Sequence, residues 1–324
     1  MSLASAPGKV ILFGEHAVVY GRPAIAVPVD QVRATAVVER GSEGQGIQIC
    51  APDLGVSHRL GDVLTPDQPA YPLQVTVQNM LRWLGRAAGQ DLAVTVSSTV
   101  PIASGMGSGA AVATAVIRAL AEFFDTPIDL PELSALVFET EIVHHGTPSG
   151  IDNSVITYNQ PVYFVRGSPV EVLRVRRPIL LAIADTGVPS PTRLAVANVR
   201  SAWEADRQRY EGWFDRIGAI AAMARRAMET GQVSTLGGLM NQNQELLRLI
   251  GVSSPELETL ISAALRAGAI GAKLCGAGRG GNMIALVNDE SASWVASRLE
   301  EAGAVRVMVT RLDQTPRRSA APTE

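Results

Sequence analysis

The chain has 324 residues, 47% of them hydrophobic, and a formal net charge of −3. That length fits two ordinary domains with buried cores, and the near-neutral balance excludes the broad basic surface of a nucleic-acid binder. Its most apolar stretch, 109–124, carries Arg118 and Glu122 and reads as a core helix rather than a membrane span. No basic segment leads into an apolar run near Met1, and Cys50 and Cys275 form no metal or disulfide framework, so a cytoplasmic protein is expected.

Taken in chain order, residues 9–13 (KVILF) and 31–39 (QVRATAVVE) are rich in β-branched side chains and are predicted strands. Residues 71–88 are predicted helix. Residues 91–98 alternate Leu92, Val94 and Val96 with polar neighbours, the pattern of a half-buried strand. A glycine-dense turn, PIASGMGSG, then leads into a helix from about 109 to 124. Asp129 and Glu132 form a capping-box pattern, with Pro131 suited to the first turn and Leu133, Leu136 and Val137 as the apolar stripe. Strands are predicted at 161–166, 170–175 and 178–185, and long helical segments at 192–230, 234–249 and 254–267. A strand at 282–287, a helix at 290–302 and a strand at 305–311 follow, and the last dozen residues, DQTPRRSAAPTE, read as a frayed tail. Strands and helices mix without regular parallel alternation, so the expected class is α+β in two domains, 1–178 and 179–324.

Gly105, Gly107 and Gly109 sit between a predicted strand and a predicted helix. Glycines there admit positive φ and let backbone N–H groups approach an anion at a helix start. The spacing matches neither GxxxxGK[ST] nor GxGxxG, and tight packing without a ligand explains such a turn equally well. A second glycine run, Gly276, Gly278, Gly280 and Gly281, precedes the strand at 282–287 and reads alone as a flexible hairpin. Two such runs in different halves suggest a small-molecule site between domains. Glu141 follows Leu133 and Val137 at spacings of eight and four, on the apolar face of its helix. A carboxylate buried there needs a cation such as Mg²⁺ on substrate phosphates, unless the helix turns and leaves Glu141 exposed. In HHGTPSGIDN, Asp152 follows Gly150 in an expected loop, as a catalytic group or as a turn aspartate. His144 and His145 point to different sides of a helix, so caps or core hydrogen bonds suit them better than metal. Only two of the 28 basic residues, Lys9 and Lys273, are lysines. Either codon usage left two survivors or lysine is kept where a compact point charge is needed.

Together, APGKVILFGEHAVVYG, PIASGMGSGAA, HHGTPSGIDN and GAKLCGAGRGGNMIAL resemble, in this order and over most of the chain, the GHMP small-molecule kinase family, and within it the branch acting on mevalonate. The resemblance implies a two-domain kinase fold: an N-terminal domain with a left-handed β-α-β unit and a ferredoxin-like C-terminal domain. It implies ATP and mevalonate as substrates, Mg²⁺ as cofactor, phosphorylation of the primary hydroxyl, and a homodimer for which no stretch marks an interface. Asp152 matches the family's catalytic aspartate and Lys9 its catalytic lysine. Pro101, Ala103, Ser104, Gly105, Met106, Gly107, Ser108, Gly109 and Ala110 match the loop that wraps the ATP phosphates. Glu141 matches the Mg²⁺ carboxylate, with Ser108 as a second ligand. Glu15, His16, Gly150, Thr192, Gly276, Ala277 and Gly278 match the substrate pocket, which Lys273 and Gly276–Gly278 are expected to close. Two departures stand out: Gly109 lacks the hydroxyl that the family often places there, and Arg279 interrupts the usual glycine run. Relatives acting on phosphomevalonate or galactose, a mevalonate-type decarboxylase, and a metabolite sensor without turnover are the alternatives within this superfamily.

Overall fold

The computed structural model describes residues 1–86, 89–102, 104–146 and 148–313, except for the side chains of His144 and His145. The histidine pair and nearly all of the expected tail therefore lie outside the described side chains and residues. Among the described residues no helix is long and apolar enough to cross a membrane.

Two compact units form. The first takes Met1–Lys9, Val29–Ile102 and Met106–Tyr158. Its strands come from β1 (Ser2–Phe13), β2 (Ala24–Arg40), β3 (Ile47–Ala51), β4 (Val56–Arg59) and β5 (Leu92–Ser98). The order is β4-β3-β5-β2, with β1 beside β2. Strand β5 runs antiparallel to β2 and parallel to β3, and helix α1 (Tyr71–Trp83) lies in the parallel connection. Both leading strands are longer than β-branched runs alone predict, because small residues such as Ala4, Ala6 and Ala24 also sit in them. The helical layer consists of α1, α2 (Ser108–Phe123), α3 (Leu130–His145) and α4 (Ile151–Tyr158). Ala110, Ala111, Ala113, Ala115 and Ala119 are buried along α2, and these small side chains let the other helices pack closely on it. Asp129 caps α3 by accepting from Glu132 N–H at 2.8 Å, as its capping pattern predicts.

The second unit takes Val10–Pro28, Ala103–Gly105 and the chain from Asn159 on. Ala24–Ala26 of β2 pair with β6 (Val162–Phe164), which pairs with β7 (Glu171–Val172). Strands β8 (Ile179–Asp185), β9 (Gly271–Leu274), β10 (Asn282–Val287) and β11 (Arg306–Leu312) form an antiparallel sheet ordered β11-β8-β10-β9. Helices α5 (Thr192–Ala205), α6 (Arg207–Thr230), α7 (Val233–Ile250) and α8 (Pro255–Arg266) separate β8 from β9, and α9 (Ala292–Glu301) separates β10 from β11. This is the strand–helix–strand–strand–helix–strand arrangement of a ferredoxin-like sheet. The predicted helix 192–230 is two helices. Asp206 leaves helical geometry at φ −143, ψ 69, and its carboxylate accepts from Arg209 N–H at 3.3 Å, starting α6 afresh.

Helix α7 approaches β9 so closely that a Cβ on Gly237 would lie 2.4 Å from the Ile270 carbonyl oxygen, whereas one on Gly238 would meet nothing within 4 Å. Gly237→Ala should therefore destabilise the protein by about 1–3 kcal/mol through overpacking, while Gly238→Ala should stabilise it by up to ~1 kcal/mol. Urea titrations of the pair check this; equal shifts of the same sign would contradict it.

Candidate active site

In the first unit the site grows from a strand, a glycine cap and two helices. Lys9, in β1, is buried, and its Nζ lies 2.9 Å from Asp152 Oδ1. Its own N–H donates to the Met106 carbonyl at 3.0 Å, which ties the strand to the glycine turn. Gly107 is the N-cap of α2 at φ 74, ψ 37. An added Cβ there would stand 3.1 and 3.2 Å from Lys9 Cγ and Cε and 2.7 Å from Ile156 Cδ1. Gly107 is thus required twice: it supplies a left-handed cap and leaves room for the lysine stem. The N–H groups of Ser108, Gly109 and Ala110 fall in the first turn of α2, where no intrahelical acceptor exists for them. With the positive end of the helix dipole they form an anion cradle. Met106 is buried and Pro101 half-buried on the approach to this turn; Ala103 lies outside the described residues.

Asp152 is not in a loop, as its Pro-Ser-Gly setting suggests. Gly150, at φ 94, turns the chain, and Asp152 occupies the first turn of α4. That helix is pinned by Asn153 Nδ2, which donates to Ser134 Oγ of α3 at 2.8 Å, and by Ser154 Oγ, which donates to the Gly150 carbonyl at 2.7 Å. Ile151 and Asn153 are buried, while the Asp152 side chain keeps 25% exposure, open to a ligand and fixed by Lys9.

Glu141, on α3, is buried at 2% exposure, so the apolar-face reading holds over the exposed one. Burial first, then the neighbouring Asp152 charge, push its carboxyl up to about 8, against the pull of Lys9. Two carboxylates and an ammonium therefore meet beside the glycine-capped helix. Among the described residues no three His, Cys, Asp or Glu side chains gather as a metal centre.

The second unit carries the other expected residues. His16 lies at φ 61, ψ −49, the centre of a positive-φ γ-turn closed by Ala17 N–H to the Glu15 carbonyl at 2.6 Å. Its Nε2 is 3.0 Å from the Ala277 carbonyl, an acceptor only, so the proton sits on Nε2. Burial drives its pKa down to about 4; the Ala277 bond opposes this, and the Arg279 charge adds to it. Glu15 is buried in an ion pair with Lys273 and accepts from Asn243 Nδ2 at 3.1 Å. Lys273 is fully buried and also donates to the Leu274 carbonyl at 2.6 Å, so its charge is engaged inside its own unit rather than offered to a nucleotide.

The run from Gly276 to Gly281 is the β9–β10 hairpin loop, and Gly276, Gly278, Arg279, Gly280 and Gly281 all have positive φ. A Cβ on Gly278 would lie 2.1 Å from the Val252 carbonyl oxygen. Ser190 Oγ donates to the Gly278 carbonyl at 2.6 Å, and Gly281 N–H donates to the Val188 carbonyl at 2.8 Å, stitching the segment before Thr192 to this loop. Thr192 itself opens α5, half-buried. The Ser104 carbonyl accepts from Asn282 Nδ2 at 2.7 Å, and Gly105 comes near Gly276. Arg279 is exposed, and its N–H bonds the Val252 carbonyl at 2.7 Å.

Sequence reasoning missed Asn243, Ser190 and Asn282. Asn243 had a signal: it interrupts the apolar stripe Leu236, Leu239, Met240, Leu246, Leu247 of α7. Asn282 opens an otherwise apolar strand, and Ser190 had no distinguishing pattern.

Two family models match, GHMP kinases N terminal domain over residues 75–160 and GHMP kinases C terminal over 224–305. A mevalonate kinase of Thermococcus sibiricus is 34% identical over 325 residues, covering 96% of each chain. This chain belongs to the GHMP kinase family. Its α+β fold agrees: a crystal structure of L. major mevalonate kinase in complex with R-mevalonate has a TM-score of 0.81 at 27% identity, covering 97% of each chain. The Methanococcus jannaschii mevalonate kinase gives 0.82 at 25% identity over 97% of this chain and 98% of its own. As a GHMP kinase the protein uses ATP.

Gly107→Ala should push the Lys9 stem aside and strain the cap, lowering kcat about tenfold or more. Steady-state kinetics test this, and an unchanged kcat would show that Lys9 tolerates the methyl. Glu141 gives a pH signature. Its folded pKa lies above the unfolded value, so its contribution to stability is complete below the unfolded pKa and is lost as pH rises toward about 8. Buried His16, whose pKa is lowered, offsets this trend below about pH 6.5, so melting temperature should fall between about pH 6.5 and about pH 8 in the wild type, and Glu141→Gln should flatten that slope. Parallel slopes for the two proteins would contradict this assignment.

Proposed function

We propose that this protein phosphorylates the primary hydroxyl of mevalonate with ATP, yielding 5-phosphomevalonate and ADP. The observation that carries the reading is the Lys9–Asp152 pair at 2.9 Å beside the Gly107-capped start of α2. A carboxylate, an ammonium and a row of helix-start N–H groups are the parts that phosphoryl transfer to an alcohol needs. The naming of full-length relatives as mevalonate kinases supports the choice of acceptor.

In this reading the N–H groups from Ser104 to Ala110 hold the triphosphate. Asp152 accepts the proton of the acceptor hydroxyl as that oxygen bonds the terminal phosphorus and the bond to the ADP oxygen breaks. Lys9 stabilises negative charge as it passes from carboxylate to alkoxide. His16, Thr192, Gly276, Ala277 and Gly278, all in the second unit, are the walls for the acceptor, with Glu15 buried behind His16.

The donor set suits Mg²⁺. Mg²⁺ is commonly held by one or two carboxylates together with substrate phosphates, and buried Glu141 beside Asp152 offers that. Glu141 would hold it, with the Ser108 hydroxyl as second donor, since Gly109 has none. When bound, the ion neutralises charge on the transferring phosphates.

Asp152→Asn should bind an ATP analogue with nearly wild-type affinity and lower kcat by ~10²–10⁴-fold. Calorimetric binding with coupled ADP detection tests this; wild-type turnover would remove Asp152 from the proton-accepting role. Comparing mevalonate, its phosphates and galactose as acceptors tests the substrate assignment.

A further inference from the structure

We propose that Lys273 is a positioning residue for the acceptor substrate: through Glu15 it fixes the γ-turn that presents His16. This rests on the reading of that turn as a wall of the mevalonate pocket.

A γ-turn with positive φ at a histidine is costly and persists only where its surroundings hold it. Here two anchors reach it, both from the segment formed by β9 and its following loop. The first is the Glu15 carboxylate, ion-paired with Lys273 Nζ and bonded by Asn243 Nδ2 at 3.1 Å. The second is His16 Nε2 on the Ala277 carbonyl at 3.0 Å. Lys273 is in turn pinned by the carbonyl of Leu274 at 2.6 Å, so its ammonium has little freedom. One residue earlier, Gly14 at φ 98 lies so close to Ala24 that a Cβ would stand 2.5 Å away. The turn is therefore gripped at three successive residues, Gly14, Glu15 and His16.

The consequence is chemical. With the proton fixed on Nε2 by a carbonyl, Nδ1 is left with a lone pair. A neutral imidazole presented this way accepts a hydrogen bond from a substrate hydroxyl. A hydroxyl-bearing substrate is the class that such a wall favours. Neither Glu15 nor Lys273 is exposed, so neither touches substrate; they act by holding His16.

Two measurements test this. Imidazole nitrogen NMR of the wild-type protein, assigned with His16→Gln, should show His16 as the neutral Nε2–H tautomer, protonating only near about pH 4. A His16 signal titrating near the ordinary histidine value of about 6.5, or carrying its proton on Nδ1, overturns the proposal. The second is the variant Glu15→Gln/Lys273→Met, which removes both buried charges at similar volume. Lys273→Met alone would strand a buried carboxylate and risk misfolding. The double variant should keep its melting temperature, raise KM for mevalonate about tenfold, leave KM for ATP within about twofold, and mix the two His16 tautomers. A double variant that keeps stability, mevalonate KM and the His16 signal together would reduce the pair to core filling and overturn the proposal. Should the double variant not fold, the wild-type NMR decides. If the wild type does not phosphorylate mevalonate at all, the proposed activity fails, and the His16 tautomer still decides whether the latch exists.

Discussion

A charge removed from water must meet an opposite charge or strong hydrogen-bond partners, or it will neutralise itself or unfold its surroundings. This chain has two lysines, and it buries both. Each is held by a carboxylate: Lys9 by Asp152 and Lys273 by Glu15. The arginines behave differently. Arg200, Arg225 and Arg298 make pairs along single helices at the surface. The compact ammonium is kept for dry positions, and both such positions lie among the residues assigned to chemistry and binding. Of the two sequence explanations for scarce lysine, this placement agrees with retention of a point charge.

The two ion pairs differ in what they leave available. Asp152 keeps a quarter of its side chain open, so its pair with Lys9 can yield a carboxylate oxygen to an incoming proton. Glu15 and Lys273 are closed on all sides. The first pair is therefore suited to chemistry and the second to geometry. Glycine makes both arrangements possible, by letting the Lys9 stem pass at Gly107 and the loop after β9 fold back on Val252 at Gly278. At these points a methyl group would occupy the place of a functional atom or its support.

Much of this was readable in the residues. The alternation at 91–98, the Asp129 cap and the apolar stripe of α3 are local signals, and local physics set them. The position of Glu141 was readable as a conflict: a carboxylate in an apolar period is either misplaced or employed, and burial resolved which. The quoted motifs located Lys9, Asp152 and the glycine turns because each is compact in sequence. What escaped was set by distant partners. Asp152 looked like a loop residue because Pro148 and Gly150 precede it, yet α4 forms once Asn153 reaches Ser134 nineteen positions earlier. Lys273 looked free to close the substrate pocket because nothing near it in sequence is acidic; its partner is Glu15, 258 positions away. The break at Asp206 was missed because helical periodicity continues across it, and only the cap geometry separates α5 from α6.

The division of β1 bears on how the protein is made. Residues up to Lys9 belong to one compact unit, and from Val10 to Pro28 the chain belongs to the other, whose remaining bulk begins at Asn159. Those early residues leave the ribosome long before the strands and helices that complete their unit. Until translation reaches them, Leu12, Phe13 and Ile25 have no finished core to enter. Vectorial synthesis therefore completes the first unit at Tyr158 but not the second, and the nascent chain must shelter the apolar segment from Val10 to Pro28, through chaperones or transient collapse, until the C-terminal half emerges.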